Sequence, residues 1–139
     1  MNERAPAPGG LALVESLVNT LDVATGADSL GTPEGRARFG LPEDEVVVDR
    51  ARELRESLRV ALLAHAGHPP HRAVTPLGEL LARGPLLVTV DSADGSAALA
   101  PARPDSLTAR VAAAVARALV AGTWTRLKAC EATDCRWAY

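Results

Sequence analysis

The two cysteines of the chain, Cys130 and Cys135, are the residues best suited to hold a metal ion. Thiolates are strong zinc ligands, and two cysteines at this spacing can reach one ion because the turn between them folds back. A structural zinc site needs four ligands, and this segment supplies half of them. Two interpretations stay open from spacing alone, namely half of a zinc finger or two ordinary thiols near Tyr139.

Three histidines, His65, His68 and His71, form a second group of possible metal ligands. Histidines bind metals from one helix face when an unbroken helix separates them by three or four residues. Here Gly67 and the pair Pro69-Pro70 interrupt the helix. The spacing therefore favours a solvated loop over a metal site.

Polar side chains end an otherwise apolar helix at Asn19, Thr20 and Asp22, and Arg55 lies on a later helix. These four residues are candidates for a ligand-binding floor. The alternative is a helix cap that satisfies loop backbone groups, which we favour because buried polar groups are usually hydrogen-bond hubs. Arg55 and Glu56 can likewise form an ordinary surface pair.

Catalytic motifs are missing from the sequence. It has no phosphate loop, no nucleophile elbow and no Ser/His/Asp arrangement, and Gly9-Gly10 lacks the rest of a nucleotide fingerprint. The acids Glu43, Asp44 and Glu45 suit the positive end of a helix. We therefore predict that the chain is not an enzyme.

Hydrophobic periodicity predicts the elements that must position these residues. Helices are expected over 11–21, 33–40, 42–66, 76–83 and 106–120, and strands over 86–90 and 96–100. The longest helix should place Arg52, Glu56 and Arg59 opposite its apolar stripe, and the last should bury Leu107, Val111, Val115 and Leu119. The predicted fold class is α+β, a mostly helical single domain with a β-hairpin near residues 86–100.

Composition and charge limit the function. The chain has 139 residues, of which 47% are hydrophobic but only 3% aromatic, so aliphatic residues must fill one core. A net charge of −2 argues against a body that grips DNA, although residues 101–139 are mildly basic. Residues 1–10 read as a disordered Pro/Gly-rich leader without a signal core, and residues 11–21 are too short and polar to cross a membrane, which predicts a cytoplasmic protein.

Two stretches of the chain resemble one known family. The run Arg126-Leu-Lys-Ala-Cys130, followed by Asp134-Cys135-Arg-Trp137, resembles the start of the CGNR zinc finger. Residues 11–22, 28–34 and 51–58 resemble the ABATE domain that precedes this finger. The resemblance implies an ABATE-like domain over 11–122 and the first half of a finger over 123–139.

This resemblance implies a stress-response transcription regulator. Cys130 and Cys135 would bind zinc with two ligands further along the chain, and DNA would be contacted through that further segment. The body would sense a small molecule or assemble as a homodimer. The alternatives are a small-molecule-binding enzyme domain that uses Asn19, Asp22 and Arg55, or a pure dimerisation module.

The resemblance also bears on the end of the chain. Trp124 and Leu127 should anchor residues 123–128 to the body, because a buried tryptophan contributes strongly to packing. Residues after Cys130 should lack a partner strand.

Overall fold

The computed structural model describes residues 10–132, 135 and 137–139, so the leader up to residue 9 and Asp134 lie outside the described residues. Five α-helices and a two-stranded antiparallel sheet are the main elements of the described part. They are α1 (Leu11–Val18), α2 (Pro33–Arg38), α3 (Glu45–His65), α4 (Leu77–Leu81), β1 (Leu86–Val90), β2 (Ala97–Pro101) and α5 (Leu107–Ala121). The predicted α+β class is confirmed.

Side-chain caps begin three of the helices. The side chain of Thr32 accepts a hydrogen bond from the backbone N–H of Gly35 in α2, that of Asp44 from Val46 in α3, and that of Ser106 from Ala109 in α5. Such caps satisfy N–H groups that have no partner inside the helix. α5 ends at Gly122, whose positive φ of 74° suits a residue without a Cβ atom.

The first helix is shorter than predicted, because its polar end turns away from the helix axis. α1 stops at Val18, and the hydroxyl of Thr20 donates to the carbonyl of Leu17 at 2.7 Å. An isolated antiparallel bridge between Leu21 and Asp28 then closes the following loop. One side of this loop packs against α3.

The core is aliphatic apart from Phe39, and α5 runs through it. Five alanines of α5 are buried, so neighbouring elements approach this helix closely. Leu119, however, is 60% exposed, so its predicted place in the buried stripe is wrong. Side chains four residues apart on a helix differ in direction by about 40°. Leu119 is three such steps after Leu107, so its side chain points roughly 120° away from that of Leu107. Ala118 occupies the buried position instead.

The hairpin pairs β1 with β2 in antiparallel register, from Leu86 opposite Pro101 to Val90 opposite Ala97. β2 lies nearer to α5 than β1 does, and the guanidinium of Arg117 donates to the carbonyl of Leu99 at 2.7 and 3.1 Å. Within the described residues, no helix is long and apolar enough to span a bilayer.

The polar face predicted for α3 is wrong at two positions. Arg59 is 3% exposed, and the side chain of Glu56 is largely buried. Arg55, predicted as half of a surface pair, is also buried. The cause is the segment from Val18 to Leu30, which covers this side of α3 and supplies partners for the charges.

Candidate functional site

Arg55 is the centre of a buried polar network between α3 and the loop after α1. Its guanidinium donates to the hydroxyl of Thr20 at 3.2 Å, to Asp28 at 2.9 Å and to Glu56 at 2.8 Å. Asp28 in turn accepts the backbone N–H of Leu30 at 3.0 Å. One arginine therefore ties the two ends of the loop to the same helix.

Arg59 extends this network by one helical turn. It donates to Glu56 at 2.6 Å and to the carbonyl of Val18 at 2.8 Å. The Val18 carbonyl is one of the last of α1, where carbonyl groups lack helical partners and a cation is favoured. Arg59 therefore fixes the end of α1 against α3.

The charges of the network lower the pKa of both carboxylates. Burial alone raises the pKa of Asp28, but the hydrogen bond and charge of Arg55, with help from Leu30 N–H and Arg52, lower it below its usual value. For Glu56, burial again raises the pKa, and the bonds and charges of Arg59 and Arg55 outweigh it. Both carboxylates are therefore ionised at neutral pH and act as fixed partners of the arginines.

Asn19 lies between the two residues that the arginines hold. Its side-chain amide donates to the carbonyl of Ala138 at 3.2 Å and accepts the N–H of Ala138 at 2.7 Å. The side-chain amide of Asn19 thus pairs with the backbone of Ala138 in the way that a neighbouring strand would. Because Arg59 fixes Val18 and Arg55 fixes Thr20, the network positions Asn19 against the C-terminal segment.

The four predicted ligand-binding residues do not meet in one place. Arg55 and Thr20 are in contact, and Asn19 faces the C-terminal segment. Asp22 instead accepts N–H groups of its own turn, from Ala24 at 3.0 Å and from Thr25. Asp28 takes the place opposite Arg55, and sequence reasoning missed it, because its side chain looks like an ordinary loop residue.

The C-terminal segment forms a small hairpin of its own around the cysteines. Lys128 and Tyr139 exchange backbone hydrogen bonds of 2.8 and 2.7 Å, and the N–H of Cys130 donates to the carbonyl of Trp137 at 2.8 Å. The expectation that residues after Cys130 lack a partner strand is therefore wrong. Residues 137–139 supply that strand, and Cys135 lies in the connection.

The end of α3 holds the other strand of this C-terminal hairpin. The N–H of Ala129 donates to the carbonyl of Leu62 at 3.2 Å, and Nδ1 of His65 donates to the carbonyl of Leu127 at 2.7 Å. The ring of His65 also meets Trp124 edge-on, with centroids 4.7 Å apart. Leu127 is buried and Trp124 packs on the core, which confirms the predicted anchor.

Two of the three histidines contact this C-terminal hairpin, so the assignment of these two to a solvated loop is wrong. His65 binds the backbone as described, and Nδ1 of His68 lies 2.9 Å from the carboxylate of Glu131. His71 is exposed. The partners are more than sixty positions apart in sequence, so no local pattern could reveal them.

The two thiols of the C-terminal hairpin suit zinc, but they are only two of the four ligands that a structural zinc site needs. Both thiols are half-buried on the same hairpin. Among residues 10–132, 135 and 137–139, no three His, Cys, Asp or Glu side chains come together as a metal-binding group. A tetrahedral site on Cys130 and Cys135 therefore requires further ligands from outside the described residues.

Four surface cavities of the described residues lie elsewhere. One of about 420 Å³ is lined by Arg50, Glu53, Arg83 and Arg103, and one of about 450 Å³ is an apolar groove between the hairpin and α5. Neither these two nor the cavities of about 490 and 170 Å³ are lined by any of the four predicted ligand-binding residues.

The sequence places the protein in a family that is described as one of regulators. The model of the ABATE family, described as "Putative stress-induced transcription regulator", matches residues 11–123, which are most of the chain. The chain therefore belongs to the ABATE family. This membership points to a regulator rather than an enzyme. No curated protein matches the chain significantly.

Proposed function

We propose that the chain is the regulatory body of a transcription regulator and that it holds the first hairpin of a zinc-binding, DNA-reading finger. The proposal rests on one observation, which is that two helices of the body each hold one strand of the C-terminal hairpin. Asn19, at the end of α1, binds one of its strands, and Leu62 and His65, at the end of α3, bind the other. The relative position of two helices of the body thus sets the position of both strands.

This arrangement gives the body a route to influence metal binding. Cys130 follows directly on the strand held by α3, and Cys135 precedes the strand held by Asn19. A small shift of α1 against α3 changes the separation of the two thiols. Zinc affinity depends on ligand geometry, and binding is coupled to folding of the surrounding segment. A signal that moves α1 would therefore alter the finger.

The net charge of the chain supports separate roles for the body and the finger. The net charge of the chain is −2, while DNA binding needs phosphate contacts from a basic face. The body on this proposal transmits a signal, and DNA contact falls to the finger.

The test uses the natural gene product, expressed as its complete coding sequence. Zinc content is measured by atomic spectroscopy and DNA binding by selection from genomic fragments. We expect one zinc per chain and enrichment of specific sites, and loss of both when Cys130→Ser and Cys135→Ser are combined. Retention of zinc in the double variant, or selection without enriched sites, contradicts the proposal.

The coupling step needs its own variant. Asn19→Ala removes the grip on one strand while leaving both thiols in place, and we expect weaker zinc binding with the same stoichiometry. Ser16→Ala, on the exposed side of α1, is the matched control and should leave zinc affinity unchanged. Equal zinc affinity in the two variants contradicts coupling through Asn19.

A further inference from the structure

The two outer edges of the β-hairpin differ. On β2, Pro101 has no N–H group to offer, and the carbonyl of Leu99 already accepts two hydrogen bonds from Arg117. These features close the β2 edge against another strand. The β1 edge has no such protection.

The register shows which groups of β1 face outward. The N–H of Asp91 donates to the carbonyl of Ser96 at 2.8 Å, and the N–H of Ala102 donates to the carbonyl of Pro85 at 2.9 Å. Alternate pairs along an antiparallel ladder exchange hydrogen bonds, so the bonded pairs between these two are those of Leu87 and Thr89. The N–H and C=O groups that point away from β2 belong to Leu86, Val88 and Val90.

The outward groups of β1 have no partner in the part of the chain that the structure describes. Native edge strands usually carry a charge, a proline or a bulge that prevents pairing. β1 reads Leu86-Leu-Val-Thr-Val90 and has none of these. Val88 is 70% exposed and Val90 is 63% exposed. A two-stranded sheet with an open aliphatic edge is marginal in water.

We propose that β1 pairs with β1 of a second copy of the chain, antiparallel, about a two-fold axis at Val88. Val88 then lies opposite the partner's Val88, and Leu86 lies opposite the partner's Val90. All the outward N–H and C=O groups of both strands become paired, and the two hairpins form one four-stranded sheet. This inference does not depend on the proposed function, because β1 includes none of the residues on which that function rests.

A second copy fits this edge better than a peptide of unrelated sequence. The strand carries no charge of either sign, so two copies approach without repulsion. In the antiparallel pairing each of Leu86, Val88 and Val90 lies opposite another aliphatic residue. The strand is therefore complementary to itself, as a two-fold interface requires. Aliphatic cross-strand pairs stabilise a sheet, and the exposed Val120 lies beside the same face and enlarges the apolar surface.

Sedimentation and light scattering test the proposal, with concentrations from roughly 1 μM to 1 mM, where weak interfaces associate. Val88→Pro removes one outward N–H and leaves the bonded pairs inside the hairpin intact. Ala97→Lys is the control, because it places a charge on the same face at the β2 edge. We expect a wild-type dimer, dissociation constants raised roughly tenfold or more by Val88→Pro, and an unchanged dimer with Ala97→Lys.

Hydrogen exchange provides a readout at the level of single residues. The amides of Leu86, Val88 and Val90 should become protected as the concentration rises, while those of Leu87 and Thr89 should be protected throughout. If Val88→Pro lowers the helical circular dichroism, Val88→Lys replaces it. A wild-type monomer over the whole range overturns the proposal, as does a dimer that resists both Val88 variants. A dimer lost only with Ala97→Lys shows face stacking and also overturns it.

Discussion

The two sides of the body satisfy their polar groups in opposite ways. Where α1 ends against α3, Arg55 is 4% exposed and yet has three hydrogen-bonding partners within the chain. At the hairpin, β1 exposes aliphatic side chains and leaves the backbone groups of Leu86, Val88 and Val90 without partners in the described residues. The first side is complete within one chain, while the second is suited to contact another.

This difference predicts where substitutions act. Buried charges that depend on one another are costly to separate, because the remaining charge is left without compensation. Exposed side chains on a sheet edge contribute little to the stability of a single chain. A graded series of variants from one side to the other therefore tests the comparison, and the largest effect belongs to the arginine network.

Arg55→Met should lower the free energy of unfolding by about 3 kcal/mol, because it leaves Asp28 and Glu56 partly buried with fewer cationic partners. Urea unfolding followed by circular dichroism measures this change. Arg52→Ala is the control, since Arg52 also pairs with Asp28 but is far more exposed, and it should cost less than about 1 kcal/mol. Equal losses in the two variants would show that burial of Arg55 is unimportant.

The sequence predicts this side of the molecule only in part. Periodicity and caps give the helices to within a few residues, because both depend on near neighbours along the chain. Periodicity predicts an exposed Arg59, because it describes a single helix and says nothing of the segment that covers it. Asp28 and Asn19 have partners 27 and 119 positions away, and contacts at that range leave no local pattern.

Asn19→Ala should lower the free energy of unfolding by about 1–2 kcal/mol, because two hydrogen bonds to Ala138 are lost. It should also raise the rate at which Cys135 reacts with a thiol reagent, since the adjoining strand is released. Mass spectrometry after timed labelling distinguishes the two thiols. Ser16→Ala should change neither quantity, and unchanged labelling in Asn19→Ala would exclude Asn19 as a grip on the C-terminal hairpin.

Acid should weaken the arginine network before it weakens the rest of the core. Asp28 and Glu56 have pKa values below their usual ones in the folded protein, so their contribution is complete above about pH 4–5. It is lost as the pH falls through the lowered pKa values, where the folded state must take up protons. The stability difference between wild type and Arg55→Met should therefore shrink between pH 6 and about pH 3. A constant difference would mean that these carboxylates are not the partners that matter.

The smallest effect is expected on the hairpin. Val90→Thr keeps a β-branched side chain at an exposed position, so in dilute solution it should change the free energy of unfolding by less than about 0.5 kcal/mol. The stability of the wild-type chain should depend on protein concentration, because association stabilises the folded state by mass action. Wild-type melting temperature should rise with protein concentration, whereas Val88→Pro should melt at a nearly constant temperature. A loss above about 1 kcal/mol for Val90→Thr in dilute solution would show that the hairpin is stabilised within one chain, and the contrast between the two sides would then disappear.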